Sequence, residues 1–299
     1  MTSPTVVAVG GIFIDDIVYP DGRTSMEILG GGGVHAAAGM IVWDERPGLV
    51  ATIGNDISPA LLARLRRDFD MQGVLDVPYP QMRAWQLFEW NGKRTEIYRV
   101  DVIAPFMDDP QPEQMPASYR DAVGAHILRS GEEFITFKQR FSPQTVFLWE
   151  PEQAYMVAEN RAEFVRTLPE TDIVSPNLLE ASLVYGLTDP HQLIDAMLND
   201  GAKIVALRMG DRGSLVASRE QCVEIPAVPV PTIIDQTGAG NTYSGAFLVG
   251  WLRTRDLRLA GYHAAVAASF ALEVVGVLNP PDKQVRDERY QRLLSQAGG

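Results

Sequence analysis

The sequence predicts an α/β protein with a mainly parallel sheet covered by helices on both faces and a small antiparallel sheet beside it. Three observations carry this expectation. Short apolar runs alternate with segments of helical spacing over most of the 299 residues. The apolar runs have the length of strands buried inside a sheet. Two segments break the rhythm, with alternating residues around Asp21-Gly22 and around Asn91-Gly92, dipeptides that favour tight turns between antiparallel strands.

Taken in order, the expected strands are Thr5 to Phe13, Leu49 to Ile53, Gln144 to Trp149, Asp172 to Ser175 and Lys203 to Arg208. Ser58 to Phe69, Ala158 to Leu168, Leu178 to Tyr185 and Pro190 to Leu198 have the spacing of amphipathic helices. Ile233-Ile234 reads as a buried strand, and Thr242 to Leu252 reads as the helix after it. Ile14 to Leu29 and Met82 to Val100 are the two hairpins. Pro110 to Pro116 and Pro280-Pro281 are loops. In such folds ligands sit beyond the C-terminal ends of the parallel strands.

Composition narrows the function. A net charge of −12 argues against binding to phosphate backbones, which needs basic surface. No apolar run reaches the roughly 18 residues of a membrane span. The first residues, Met1-Thr2-Ser3-Pro4, lack the basic start of a signal peptide, and the single cysteine, Cys222, fits a reducing compartment, so a cytoplasmic protein is expected. Four histidines and one cysteine offer no metal-ligand spacing. The Gly30 to Gly33 run is not a dinucleotide fingerprint. Its preceding strand belongs to a hairpin, and Leu49 to Ile53 ends in Gly54-Asn55 with no acid at the strand end.

The most informative stretch is Asp235-Gln236-Thr237-Gly238-Ala239-Gly240-Asn241. A small-residue turn opening a helix leaves backbone N–H groups free, and the helix dipole makes that end a site for an anion. The stretch resembles the Asp-x-Thr-Gly-Ala-Gly-Asp signature of the PfkB/ribokinase family of sugar and nucleoside kinases. Four further landmarks follow the family's order. Asp15 closes Gly10-Gly11-Ile12-Phe13-Ile14. Gly30 to Gly33 precede His35, where the family has Asn. Asn177 and Glu180 form an Asn-x-x-Glu element. Arg208-Met209-Gly210-Asp211-Arg212-Gly213 follows a strand.

The resemblance implies a ribokinase-like three-layer α/β/α sandwich, one domain over residues 1–299, with a β lid from about 13–29 and 82–100. It implies that Asp15, Gly31, Gly32 and His35 meet the substrate, a sugar, nucleoside or related alcohol. Asn177 and Glu180 would manage Mg²⁺ and phosphate, Glu180 through water. Arg208, Gly210, Asp211 and Gly213 would line ATP. Gly238, Ala239 and Gly240 would form the anion hole, with Asp235 beside an activating monovalent cation such as K⁺. The lid is the dimer contact in some members, so a homodimer is expected there, and Trp85, Phe88 and Tyr98 belong either to the specificity surface or to that contact. Asn177 and Glu180 also have the spacing of a capping box, and both roles can hold together. Trp149-Glu150-Pro151 closes a strand at the ligand end and reads as structural.

Position 241 departs from the family. Its Asp is the general base, and the amide of Asn241 cannot accept that proton. A slow kinase, a kinase with a relocated base, and a ligand sensor or scaffold without turnover all remain open. His35, with an ordinary pKa of about 6.5, is the candidate for relocation, against a neutral stand-in for Asn. An Asn at this place and the Ala268 to Glu273 segment also resemble the atypical fungal maintenance-of-killer branch of the family.

Overall fold

The computed structural model describes residues 3–90, 94–99 and 110–296. Nine strands form one sheet, in the order β13-β12-β11-β10-β9-β8-β1-β4-β5. In chain order these are β1 (Val6–Val9), β4 (Gly48–Ile53), β5 (Asp70–Asp76), β8 (Gly124–Arg129), β9 (Val146–Pro151), β10 (Ile173–Val174), β11 (Ile204–Arg208), β12 (Ser214–Ala217) and β13 (Cys222–Ile225). Every pairing from β5 to β11 is parallel, and the β12–β13 hairpin adds two antiparallel pairings at one edge.

Successive strand residues point to opposite faces, and here both faces are buried. Val6, Ala8, Leu148, Ile173 and Ala206 pack on one side with Phe247, Leu248, Ala264 and Val266, from helices Ala239–Thr254 and Leu257–Ala271. Val7, Val9, Trp149, Val174 and Val205 pack on the other with Phe134, Phe164, Val184 and Leu193. Continuous apolar runs are the sequence form of this arrangement. No helix among the described residues is long and apolar enough to cross a membrane.

The two hairpins build the second sheet, in the order β3-β2-β6-β7, from β2 (Phe13–Val18), β3 (Thr24–Gly30), β6 (Arg83–Phe88) and β7 (Arg94–Tyr98). Each hairpin is antiparallel, and the two meet along one parallel seam between β2 and β6. The Asn91-Gly92 turn lies outside the described residues. In the turn of the other hairpin only Gly22 has positive φ, 86°, and the Tyr19 amide donates to the Arg23 carbonyl, so the connection is longer than a two-residue turn.

Two expected elements differ. Thr5 to Phe13 is not one strand. The chain leaves the large sheet at Val9, passes Gly10-Gly11 and enters the small sheet at Phe13. Backbone crowding sets this break, since a Cβ on Gly10 would press on the Gly33 Cα. Ile233-Ile234 is not a buried strand either. These residues are 53% and 52% exposed in an irregular segment, anchored where the Ile234 amide donates to the Leu272 carbonyl. Their pairing partner is a helix end, so no ladder forms. The apolar run lacks the length that separates a strand from an extended loop.

Candidate phosphate site and its buried charge cluster

Helix Ala239–Thr254 begins directly after Gly238, whose φ of 74° lies in the left-handed region that favours glycine. This helix packs closely on helix Gly32–Ile41, because Gly39 and Gly245 each face backbone of the other helix with no room for a Cβ. The close approach sets the His35 ring against Gly238. Three parallel strands end at the same place. β9 delivers Glu150, β10 leads into Ser175 and Asn177, and β11 delivers Arg208.

These ends assemble a chain of charges. Arg208 Nη1 stands 2.7 Å from Glu150 Oε1, and its Nη2 stands 3.7 Å from Glu180 Oε2. Nη2 also donates to the Ser175 carbonyl at 2.8 Å. His126 Nε2 and Glu150 Oε2 are 2.7 Å apart. Asn241 Nδ2 donates to Glu150 Oε1 at 3.0 Å. His126 is fully buried and Glu150 is 2% exposed. Burial pushes the Glu150 carboxyl up, but the Arg208 charge and the His126 hydrogen bond outweigh it and bring it down to about 2. Glu180 goes the other way, because burial raises it more than Arg208 lowers it. A carboxylate so far inside survives only because each oxygen has a donor.

The helix start fits an anion. A Cβ on Gly240 would collide with Arg208 Nη1, so the guanidinium lies directly against the main chain of the first turn. Arg208 Nε is buried with no hydrogen-bond partner among the described residues. The helix dipole and a fixed cation therefore converge on one spot, while the first amide, that of Ala239, donates to the Gln236 carbonyl at 3.3 Å. For a metal, no three His, Cys, Asp or Glu side chains gather among the described residues. Glu180 offers one carboxylate, which suits Mg²⁺ arriving on nucleotide phosphates with its own waters.

The other expected residues fall around this centre. Asn177 and Glu180 make the full capping box of helix Leu178–Tyr185, each side chain accepting the other's backbone N–H at 2.8 Å. Asp235 accepts from the Thr237 amide at 2.9 Å and the Gly276 amide at 3.4 Å, tying the motif to a second loop. His35 is 2% exposed, neither ring nitrogen has a hydrogen-bond partner among the described residues, and burial lowers it to about 4. Gly32 faces Asn241 and Leu128, and Gly31 lies against the Gly11 carbonyl. Gly210 and Asp211 sit on an exposed 3₁₀ turn that closes at Gly213, φ 79°. Asp15 lies on the small sheet, in a row with Ala84 and Tyr98, and accepts from Gln86 Nε2 at 3.0 Å.

Sequence reading missed His126 and took Glu150 for a structural strand end. The available signal was a polar residue inside an apolar strand, repeated on two strands. The parallel register sets His126 opposite Leu148, two residues before Glu150 and on the same face.

Residues 155–284 match the profile of the pfkB family of carbohydrate kinases. The chain is 28% identical over 256 residues to a cytidine kinase of Thermococcus kodakarensis, covering 84% of this chain and 90% of that protein. A nucleoside kinase of Burkholderia thailandensis, solved with inosine, superposes with a TM-score of 0.80 at 18% identity, over 97% of this chain and 99% of that one. An E. coli putative ribokinase II, solved with ATP and Mg²⁺, superposes with a TM-score of 0.78 at 19% identity, again over 97% and 99%.

Proposed function

We propose that this chain, a member of the pfkB family of carbohydrate and nucleoside kinases, binds ATP with Mg²⁺ and phosphorylates a hydroxyl of a nucleoside. The observation that carries the reading is the Arg208 guanidinium held against Gly240 at the first turn of helix Ala239–Thr254. Phosphoryl transfer needs positioning and neutralised charge more than covalent chemistry from the protein. Arg208 and the amide of Gly240 supply charge and a donor for the transferred oxygens, the Ala239 amide being engaged by the Gln236 carbonyl at 3.3 Å. Glu180 holds the waters of Mg²⁺, which offsets the charge of the phosphates, and the Gly210 to Gly213 turn lines the nucleotide. Asp15, fixed by Gln86, receives the acceptor's hydroxyls.

A nucleoside is favoured over a free sugar by the aromatic wall beside Asp15. Phe13 and Tyr98 meet edge to face at 6.1 Å, and both, with Tyr79, pack against buried Met82. A flat base stacks on such a surface, while a sugar asks for more hydrogen-bonding groups. The relative acting on cytidine and the neighbour holding inosine support the same choice. The outer face of the small sheet exposes Met26, Trp85 and Ile97, which supports a homodimer through the lid. Asp235, a carboxylate that accepts from the Thr237 and Gly276 amides, is the residue we place beside a monovalent cation such as K⁺.

A second reading, a ligand sensor or scaffold without turnover, rests on Asn241 and the likeness to the fungal branch. One experiment separates the two. A thermal-shift titration with AMP-PNP and Mg²⁺ is followed by transfer of labelled γ-phosphate to cytidine, inosine or ribose. The kinase reading expects a raised Tm and a labelled nucleoside. A raised Tm with no labelled product on any acceptor selects the sensor, and no shift with nucleotide contradicts both.

A further inference from the structure

We infer that Glu150 is the general base of this site and that Asn241 is its orienting amide, the two having exchanged the roles that a carboxylate at 241 would imply. The inference rests on the kinase reading above. It is carried by one contact, the 3.0 Å hydrogen bond from Asn241 Nδ2 to Glu150 Oε1. An Asp at 241 would set two carboxylate oxygens at that distance inside a nearly closed pocket. Like charges so placed cannot both stay ionised without a heavy cost. The pocket therefore holds one carboxylate and one amide, and the carboxylate is on β9.

His35 is the competing candidate, and its surroundings are against it. Its ring is packed against Gly238, and neither nitrogen has a hydrogen-bond partner among the described residues. Glu150 is instead a neighbour of the cradle itself. Its Oε1 carries the Arg208 contact at 2.7 Å and the Asn241 bond, while Oε2 is held by His126.

Arg208 makes Glu150 answer to the nucleotide. The same Nη1 that touches Glu150 lies against Gly240. Phosphoryl oxygens entering the cradle compete for that guanidinium and draw it from Oε1, which is then open to the acceptor hydroxyl and freed of the charge that most holds its carboxyl low. The hydroxyl proton passes to Oε1 as the hydroxyl oxygen bonds the γ-phosphorus. The bond from the γ-phosphorus to the bridging oxygen breaks, its electron pair leaves on ADP, and Glu150 returns the proton to solvent after product departs. His126 acts only through Glu150 and is a positioning residue.

The test uses the full chain with ATP, Mg²⁺ and cytidine, and reads nucleotide binding separately as the Tm shift given by AMP-PNP. Glu150→Gln is expected to keep the Tm shift and lose about 100-fold or more in kcat, the usual worth of a positioned base. Asn241→Asp is expected to give no gain. The swapped double variant, E150Q with N241D, is expected to recover about tenfold over E150Q, because one carboxylate and one amide are again paired. Turnover of E150Q at the wild-type rate overturns the inference and leaves the kinase reading standing. So does a gain of about 100-fold in N241D, a result that also decides the matter if E150Q fails to fold. Wild-type protein that binds AMP-PNP yet phosphorylates no acceptor overturns the kinase reading, and the inference with it.

Discussion

The C-terminal ends of the large sheet and the small four-stranded sheet solve opposite problems within one site. At the first, His126, Glu150, Arg208 and Glu180 are all at least largely buried, and each charge is met by an opposite charge or a hydrogen bond. At the second, Trp85 and Ile97 stand half exposed on one face, while Asp15, Gln86 and Glu96 are linked across the other. Buried charges held on strand ends can be kept in place through a reaction cycle, because neighbouring strands fix them. Aromatic and amide side chains on a thin sheet adapt to the shape of a ligand. On the function proposed above, chemistry belongs to the ends of the large sheet, and choice of acceptor to the small one.

The strongest way to break this contrast is Arg208→Ala. Removing the one cation between Glu150 and Glu180 leaves both carboxylates without it, and a broken buried pair costs about 3–5 kcal/mol. Urea unfolding should show that loss, together with loss of the AMP-PNP shift. A change below about 1 kcal/mol would mean that the cluster is far wetter than its burial indicates.

Asp15→Asn sharpens the same contrast from the other side. It keeps the shape of the small sheet and removes the acceptor charge, so kcat/KM for a nucleoside should fall by about 10- to 100-fold, while nucleotide binding and stability stay near wild type. Equal kcat/KM would take Asp15 out of acceptor recognition.

Next in size is a pH effect from the floor of the cradle. Burial holds His35 at about 4 and His263 at about 4. Both lie below the unfolded value near 6.5, so the unfolded chain takes up protons that the folded chain refuses. Stability is then complete above about pH 6.5 and falls as pH drops towards 4, by about 2 kcal/mol per histidine between pH 7 and 5. Urea midpoints at these two pH values check this, and His35→Asn should remove about half of the difference. An unchanged slope in that variant would contradict a buried neutral ring.

The smallest effect is expected at Trp85→Ser on the outer face of the small sheet. Stability should change by about 0.5 kcal/mol or less, as for a surface site, and turnover per protomer should hold. Sedimentation should show weaker self-association. Unaltered association would remove this face from the dimer contact.

Much of this was legible in the sequence, for physical reasons. Parallel strands buried on both faces leave continuous apolar runs, so β4, β9 and β11 were placed within a few residues. The start of helix Ala239–Thr254 was legible because a small-residue run such as Gly238-Ala239-Gly240 opens a helix readily, and Gly238 takes the positive φ there. Asn177 and Glu180 declared their capping box by spacing alone. The Glu150 cluster was not legible, because its members are far apart in sequence, and only the parallel register of β8 and β9 puts His126 and Glu150 on one face. Ile233-Ile234 misled because apolar character alone cannot show whether a run has a partner strand. The packing of the His35 ring against Gly238 was not legible either, because it depends on the close approach of two helices far apart in sequence.

A crystal structure with AMP-PNP, Mg²⁺ and cytidine would test the phosphate cradle and the base in one measurement. The γ-phosphate should lie within hydrogen-bond distance of the Gly240 amide and of Arg208, with a cytidine hydroxyl on Glu150. Phosphates bound elsewhere, with Arg208 still closed on Glu150, would refute the assignment of this helix start to phosphoryl transfer.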